Sequence, residues 1–489
     1  MTRLCTLEGL PPQVARPAYD RAACGAGIVH IGLGAFHKAH QAAYTDAALA
    51  AEPGDWRILG VSLRSRAPAE ELTPQHGLYT LIERDAAGSS ARVIGAIARA
   101  LSLGPDRGAI LAALTDPATR IVTLTVTEKG YGIDRATGGV DLSHPVIAAD
   151  LDSPEDPQGV AGLLVWALGR RRAADIPPFT LLCCDNLPEN GKMLKSLLVD
   201  FALRADPPLA SHIASDVACP STMVDRITPA RTEATLAEAA RLTGHEDRAA
   251  VETERFTQWV IEDDFPTGRP AWEAGGALFV TDVAPYEKMK LRMLNGAHSM
   301  LAYAGFLAGH EYVRDAMGDG ALVRLIRRQL AAASRSLPPL EGVDLGAYAE
   351  ALIRRFANPH LAHETWQIAM DGTEKLPQRI LAPATEALEA GAPLDAFAFA
   401  TAAWMRYALG RREDGTRYAL RDPREAALGA ALEGLTGAGA VAARLLALPG
   451  LFPDKLRESA AWQEAVTARL DVMLAQGMRA AIDREAAAC

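Results

Sequence analysis

Apolar residues in the first half of the chain gather in short runs, each closed by turn residues and followed by a stretch of helical periodicity. The first run is Gly27–Gly34 (GIVHIGLG), which ends in glycines, and a helical pattern follows it from about Phe36 to Ala51. Trp56–Ser62, Tyr79–Glu83, Arg92–Ile97, Ile121–Thr127 and Phe179–Cys184 repeat the strand pattern. Runs that are apolar throughout belong to strands buried on both faces. Their alternation with helices predicts an α/β fold with a mainly parallel sheet covered on both sides. The first twenty residues read as an arm, and Leu151–Gly159 (LDSPEDPQG) as a loop within the same domain. After Pro285 strand signals become sparse. Ala, Leu and Arg then recur at helical spacing, as in Ala321–Ala333 and Ala460–Ala481. The expected division is a sheet domain over residues 1–284 and a mostly α-helical C-terminal domain over 285–489.

Composition narrows the classes. A chain of 489 residues with 49% hydrophobic and 22% charged positions can bury a substantial core, which excludes wholesale disorder. The 50 basic and 60 acidic residues leave a formal charge of −10. That balance argues against nucleic acid or an anionic membrane as partner. Six cysteines without a CxxC pair support neither a disulfide framework nor a zinc ribbon. The start of the chain has no apolar signal region, and no apolar run reaches membrane length. The expectation is a reduced, cytoplasmic, soluble protein acting on a small molecule, as a monomer or small homo-oligomer.

The loop Gly32-Leu33-Gly34-Ala35-Phe36 joins a strand to a helix. Glycines there let the backbone turn tightly and approach a pyrophosphate, whose charge faces the helix start. If a dinucleotide is the ligand, the expected sheet domain is Rossmann-type. His37 stands where the GxGxxG pattern has its third glycine. By itself the loop suits a dinucleotide, another nucleotide-like ligand such as S-adenosylmethionine, or a plain turn. After the second strand an acid would bind the ribose 2′-hydroxyl of NAD and an arginine would tolerate the 2′-phosphate of NADP. The sequence there is Ser62-Leu63-Arg64-Ser65-Arg66, so the choice stays open, with both arginines equally readable as solvated.

The segment from Tyr286 to His298 carries the densest candidate chemistry. Pro285 suits a first helical turn, and no Asp, Glu, Lys or Arg occurs from Met293 to Gly309, so the helix is expected to be buried. At roughly 100° per residue Lys290, His298 and Asn295 fall at about 0°, 80° and 140°, on one arc. Buried polar groups need partners or cost about 1–3 kcal/mol each. A ligand could supply them; so could backbone or water, and Lys290 could snorkel. Thr127-Glu128 and Asp185-Asn186 follow strands, where α/β proteins place ligand contacts. Cys183 and Cys184 read as strand-core thiols rather than a redox pair. There is no HExxH, and His37 and His40 lack a nearby acidic or cysteine partner, so no metal is expected.

Seven stretches together resemble the mannitol dehydrogenase family of long-chain polyol dehydrogenases and hexuronate reductases. They are residues 28–46 (IVHIGLGAFHKAHQAAYTD), 124–132 (LTVTEKGYG), 184–192 (CDNLPENGK), 222–230 (TMVDRITPA), 258–273, 288–305 (KMKLRMLNGAHSMLAYAG) and 365–379 (TWQIAMDGTEKLPQR). Within the family they look nearest the fructuronate reductases (D-mannonate oxidoreductases), with mannitol 2-dehydrogenases as the near alternative. The resemblance implies metal-independent, NAD-linked interconversion of an alcohol and a ketone, with NADP still in play. It implies that Lys290 transfers the proton and that Asn295, His298 and Asn186 hold the substrate oxygen. It assigns Asp225 and Lys375 to the substrate, places Asp225, Arg64, Thr127, Glu128 and the glycine loop near the cofactor, and sets Glu287 and Glu128 along a proton path. Polyol dehydrogenases of the family carry an arginine eight residues before the lysine matched by Lys375. Here that position is Gln367. This favours an acid sugar whose carboxylate partner would be Lys375, Arg379 or Arg292.

The implied reaction is hydride transfer between nicotinamide and a secondary alcohol carbon. Burial would favour the neutral amine that Lys290 needs as a base. Two readings of other classes are a catalytically silent nucleotide sensor and a non-redox transferase using the glycine loop.

Overall fold

Each central strand is mostly apolar and almost wholly buried, and successive side chains enter different cores. In the computed structural model, which describes residues 1–134 and 137–489, the chain divides into two compact units, Met1–Ala284 and Pro285–Cys489. In the first unit β1 (Ala26–Ile31), β2 (Arg57–Ser62), β5 (Ile97–Ser102), β6 (Ile121–Leu124) and β7 (Thr180–Cys183) form a parallel sheet in the order β5-β2-β1-β6-β7. Val29, Ile31, Val122, Leu124 and Leu181 point into one core, with Leu163, Leu164, Leu194 and Phe201 of the helices Val160–Ala173 and Asn190–Ala205. Ile28, Ile58, Ile121 and Leu182 point into the other, with the helix Gln41–Ala51, Trp259 and Trp272. The period of two along a strand sets this division. Cys183 and Cys184 follow it to opposite cores. Burial pushes the Cys183 thiol up to about 12 and raises Cys184 too, so neither offers a thiolate near neutral pH.

Two smaller sheets complete the unit. One has the order β4-β3-β9, from Gly88–Ile94, Tyr79–Asp85 and Val251–Glu254. The other has the order β11-β10-β8, from Leu278–Val280, Gln258–Glu262 and Thr222–Asp225. The β3–β4 and β8–β10 pairs are antiparallel. The expected strand Arg92–Ile97 is split between β4 and β5 at Gly95, whose amide donates to Asp46 Oδ1 (2.8 Å). A Cβ there would lie within 3 Å of Pro17 and Arg21. The expected helix from Phe36 breaks into Ala35–Ala39 and Gln41–Ala51 at His40, whose φ of −118° and ψ of −93° leave the helical region. The His40 ring stacks on Phe36, meets Trp259 edge-on and bonds the Gln258 carbonyl, which holds the break.

The second unit is helical, with only isolated strand bridges among the described residues. Its first helix starts as Ala284–Met289, opens into a π-turn over Lys290–Asn295 and resumes as Gly296–Leu307. The Gly296 amide bonds the Leu291 carbonyl, five residues back. A second π-turn, Pro377–Leu381, lies between the helices Gly372–Leu376 and Ala382–Glu389. The two π-turns pack together because Gly296 has no side chain. A Cβ there would stand 2.8 Å from the Arg379 carbonyl oxygen. The expected helix Ala460–Ala481 is interrupted before Gly477, which has φ +88° and leaves room for the Glu413 carboxylate to bond the Met478 amide. No helix among the described residues is long and apolar enough to cross a membrane.

Candidate functional site

In the first unit the candidate residues other than Asp225 follow the carboxyl ends of the parallel strands. The strand order reverses direction between β1 and β6, and ligands of such sheets bind outside the strand ends at that reversal. Gly32 lies there with φ +106°, donating to the Val61 carbonyl at 2.8 Å and accepting from the Thr125 hydroxyl at 2.9 Å. A Cβ on Gly32 would fall 2.1 Å from the Thr125 carbonyl oxygen. A Cβ on Gly34 would meet only the Gly32 oxygen, at 3.6 Å. Gly34 starts the next helix in an extended conformation, and no side chain caps it. An open glycine before first-turn amides without a side-chain acceptor fits a phosphate. Arg64 and Arg66 lie exposed after β2 without an ion pair or hydrogen bond among the described residues.

Beneath the loop two imidazoles stack at 3.4 Å between ring centres, His30 from β1 and His37 from the following helix. The Thr125 hydroxyl spends its proton on the Gly32 carbonyl, so His30 Nε2 donates to it (3.0 Å) and Nδ1 accepts from Thr123 (2.7 Å). Burial lowers His30 to about 3; burial and the charge that His30 would carry hold His37 far below the ordinary range. Between pH 6.5 and 3 the unfolded chain therefore takes up protons that the folded unit refuses. Stability is full above 6.5 and is lost as the pH falls, by at most about 1.4 kcal/mol per pH unit for each histidine. Urea midpoints measured from pH 7.5 to 4.5 should fall on acidification. His37→Phe, which keeps the stack, should make the slope shallower; an unchanged slope would refute the assignment.

Asp185 organises the loop after β6. Its Oδ2 accepts from the Val126 amide (2.9 Å) and the Tyr131 hydroxyl (2.8 Å), and its Oδ1 from the Thr127 amide (3.1 Å). These bonds hold Thr127 at φ +68° and ψ +157°, a conformation costing about 1–3 kcal/mol outside glycine. They also end β6 at Leu124, short of the expected Thr127. Burial raises the Asp185 carboxyl. Asn186 follows it directly and is exposed, as are Thr127 and Glu128. Asn190 ties this turn to β8. Its side chain donates to the Asp185 and Thr222 carbonyls at 3.1 and 2.9 Å and accepts from the Thr222 amide at 2.9 Å. Asp225, buried, ends that strand. The turn with Asn186 and the strand with Asp225 are thus braced together.

In the second unit the π-turn changes the geometry expected for Lys290, Asn295 and His298. A residue five along a π-turn stands about where one four along stands in an α-helix. Asn295 therefore lies one turn above Lys290, closer to its face than α-helical spacing gave, and His298 follows three residues later. All three are half-buried. The His298 ring stacks on Phe356 at 4.9 Å and meets His363 at 5.7 Å, two neighbours that sequence spacing did not reveal. Glu287 lies half-buried in the turn before Lys290.

The three cationic candidates for a carboxylate differ. Both Arg292 terminal nitrogens are taken by Glu386 at 2.5 Å each, and one also donates to the Ser336 carbonyl. The Lys375 ammonium donates to the Met370 carbonyl at 2.6 Å and lies 3.4 Å from Asp371; burial lowers its pKa. Arg379, on the second π-turn, has one hydrogen bond among the described residues, to the neutral Ser299 hydroxyl at 3.1 Å. Burial disfavours its charge. Gln367 is exposed on the short helix Thr365–Ala369. Among the described residues no group of three or more His, Cys, Asp or Glu is placed to hold a metal ion.

Comparison with known proteins agrees with this layout. The model of the mannitol dehydrogenase Rossmann domain matches residues 26–274, and that of the mannitol dehydrogenase C-terminal domain matches 282–474. D-mannonate oxidoreductase of Escherichia coli K12 is 44% identical over 473 residues, covering 95% of this chain and 97% of that protein. Two solved structures are each 36% identical. A substrate-free D-sorbitol dehydrogenase has a TM-score of 0.92, covering 99% of this chain and 100% of that one. Pseudomonas fluorescens mannitol 2-dehydrogenase, solved with NAD and D-mannitol, has a TM-score of 0.81 and covers 99% of each chain. With both domain models matched in order and these relatives aligned over nearly its whole length, the chain belongs to the mannitol dehydrogenase family and is a dehydrogenase of secondary alcohols.

Proposed function

We propose that the substrate is a sugar acid, with D-mannonate and D-fructuronate as the pair interconverted and NAD as the cofactor. The observation that carries this reading is Arg379: a half-buried guanidinium whose one side-chain hydrogen bond among the described residues goes to a neutral hydroxyl, on the turn packed against Gly296. No carboxylate among the described residues is hydrogen-bonded to it, and a substrate carboxylate would offset the cost of its desolvation through a forked pair of bonds. Gln367, where polyol dehydrogenases of the family carry arginine, and the 44% identity to a D-mannonate oxidoreductase support the same choice.

Bound nicotinamide supplies or removes a hydride at the carbon bearing the reacting oxygen. Lys290 takes the hydroxyl proton in oxidation and returns it in reduction. Asn295 donates an N–H to the same oxygen as it gains negative charge, and Asn186 is assigned the same role; such a donor is worth about 3–4 kcal/mol. His298, its ring fixed against Phe356, orients the hydroxyl. Asp225 and Lys375 bind the remaining sugar hydroxyls, and Glu287 and Glu128 carry protons to and from Lys290. Asp185 acts at one remove, by holding the loop of Thr127 and Glu128 in its strained form.

The direct test compares NADH-linked rates on D-mannonate and D-mannitol. D-mannonate should have the higher kcat/KM. Arg379→Gln should lower it about 10- to 100-fold, the worth of a charge-assisted hydrogen bond, while leaving any rate on D-mannitol nearly unchanged. Preference for D-mannitol would overturn the sugar-acid reading. Cofactor binding without turnover of either would favour a silent sensor.

Arg64 bears on the cofactor. Exposed after β2 and without an ion pair among the described residues, it suits a 2′-phosphate, so NADP should also be used. Arg64→Asp should lower kcat/KM with NADP at least about ten-fold relative to NAD. An unchanged ratio would show that Arg64 does not read the ribose.

A further inference from the structure

A second basic cavity lies in the first unit, at the sheet edge formed by β5, two strands away from β1 and its glycine loop. It occupies about 560 Å³ along the edge strand β5, and Arg21, Arg57, Arg99, Thr73, His76 and Asp106 line it. Arg57 opens β2 and Arg21 precedes β1, whereas Gly32 follows the six residues of β1. At about 3.3 Å per residue that places Arg21 and Arg57 roughly 20 Å from the phosphate-type loop, and the cavity runs from them past Arg99 to Leu101 and Asp106.

The charges here are poorly matched. Arg21 donates to the carbonyls of Gly95 (3.0 Å) and His76 (2.5 Å), and Arg57 to those of Arg21 (2.9 Å) and Ile97 (3.0 Å). Among the described residues neither guanidinium is hydrogen-bonded to a carboxylate. Arg57 Nε is buried without a hydrogen-bond partner among the described residues. Burial lowers the pKa of both, and Arg57 lowers that of Arg21 further. The acids nearby are spent elsewhere. Asp106 accepts from the Ser102 amide, and Asp46 accepts from the Tyr19 hydroxyl and the Gly95 amide. Arg99 projects exposed from the edge strand with no ion pair or hydrogen bond among the described residues.

We propose that this cavity binds a small organic oxyanion, a metabolite bearing a phosphate or carboxylate group, at a site separate from cofactor and substrate. Guanidinium forks match both groups in plane, Thr73 and His76 add hydrogen-bonding groups, and the alanines of β5 give an apolar floor. The volume suits a ligand of metabolite size. Fixing the two arginines through main-chain carbonyls keeps them in place without neutralising them, which is the arrangement an incoming anion requires.

Calorimetric titration of the full chain with inorganic phosphate and with citrate, at constant ionic strength, tests this. Saturable one-to-one binding of either anion is expected; phosphate alone would identify the phosphate class, and citrate alone the carboxylate class. Arg99→Glu should weaken binding at least about ten-fold without lowering Tm, because Arg99 makes no contact the fold needs. Arg248→Glu, a charge reversal elsewhere on the same unit, should leave it within about two-fold. No saturable binding of either anion, or binding that Arg99→Glu leaves intact, would overturn the proposal.

Discussion

Lys290→Ala should lower kcat by roughly 10²- to 10⁴-fold, the usual worth of a positioned acid or base, while cofactor affinity changes little. The separation follows from where the residues lie. Lys290 belongs to the second unit, and the glycine loop is held entirely by β1, β2 and the strand end at Thr125 in the first. Lys290→Arg keeps a cation but offers no neutral base near pH 7, so it should be nearly as impaired. Fluorescence titration with NADH supplies the binding arm and initial rates supply the turnover arm. Near-normal turnover of Lys290→Ala would remove this lysine from the chemistry. Loss of NADH binding in step with kcat would mean instead that the substitution damages the fold.

The second large effect contrasts two neighbouring glycines. Gly32→Ala forces a Cβ to within 2.1 Å of a backbone oxygen at a left-handed φ of +106°, and backbone cannot yield as a flexible side chain can. It should destabilise the first unit by several kcal/mol and abolish cofactor binding with it. Gly34→Ala meets nothing closer than 3.6 Å and has an ordinary φ, so the fold should hold its Tm. Cofactor binding should nevertheless weaken at least about ten-fold, because the new methyl occupies the approach a phosphate needs. Melting curves and NADH titrations of both variants check the pair. A Gly34→Ala protein that binds NADH normally would show that this loop is a turn and not a phosphate cradle.

Local pattern and tertiary detail contributed differently to what the chain itself revealed. The sheet was legible because β1, β2, β6 and β7 are apolar at nearly every position, the mark of strands covered on both faces. The glycine loop was legible as well, since it directly follows such a strand. The short strands β8 to β11 were not, because three to five residues carry too little periodicity to register. The break at His40 depends on Trp259 and Gln258, more than two hundred residues away, and no local pattern could announce it.

The candidate site divides in the same way. The motif Lys290-x4-Asn295-x2-His298 is visible in the string of letters, but its geometry is not. Apolar spacing around Met293 and Leu294 fits an ordinary helix, and the extra residue of the π-turn becomes apparent only where Gly296 meets the Arg379 carbonyl. Asp185 drew notice as the neighbour of Asn186. Its three-way hold on Val126, Thr127 and Tyr131 links residues more than fifty positions apart. The ranking of Arg379 over Arg292 likewise needed the knowledge that Glu386 closes the Arg292 fork.

The most direct test of the central claim is chemical rescue of Lys290→Ala by small primary amines. If the Lys290 amine exchanges a proton with the sugar oxygen, millimolar methylamine or ethylamine should restore turnover. The restored rate should rise with amine concentration and follow amine basicity along a Brønsted line. Turnover that stays absent with every amine, in a variant that still binds NADH and melts like the parent, would contradict the assignment.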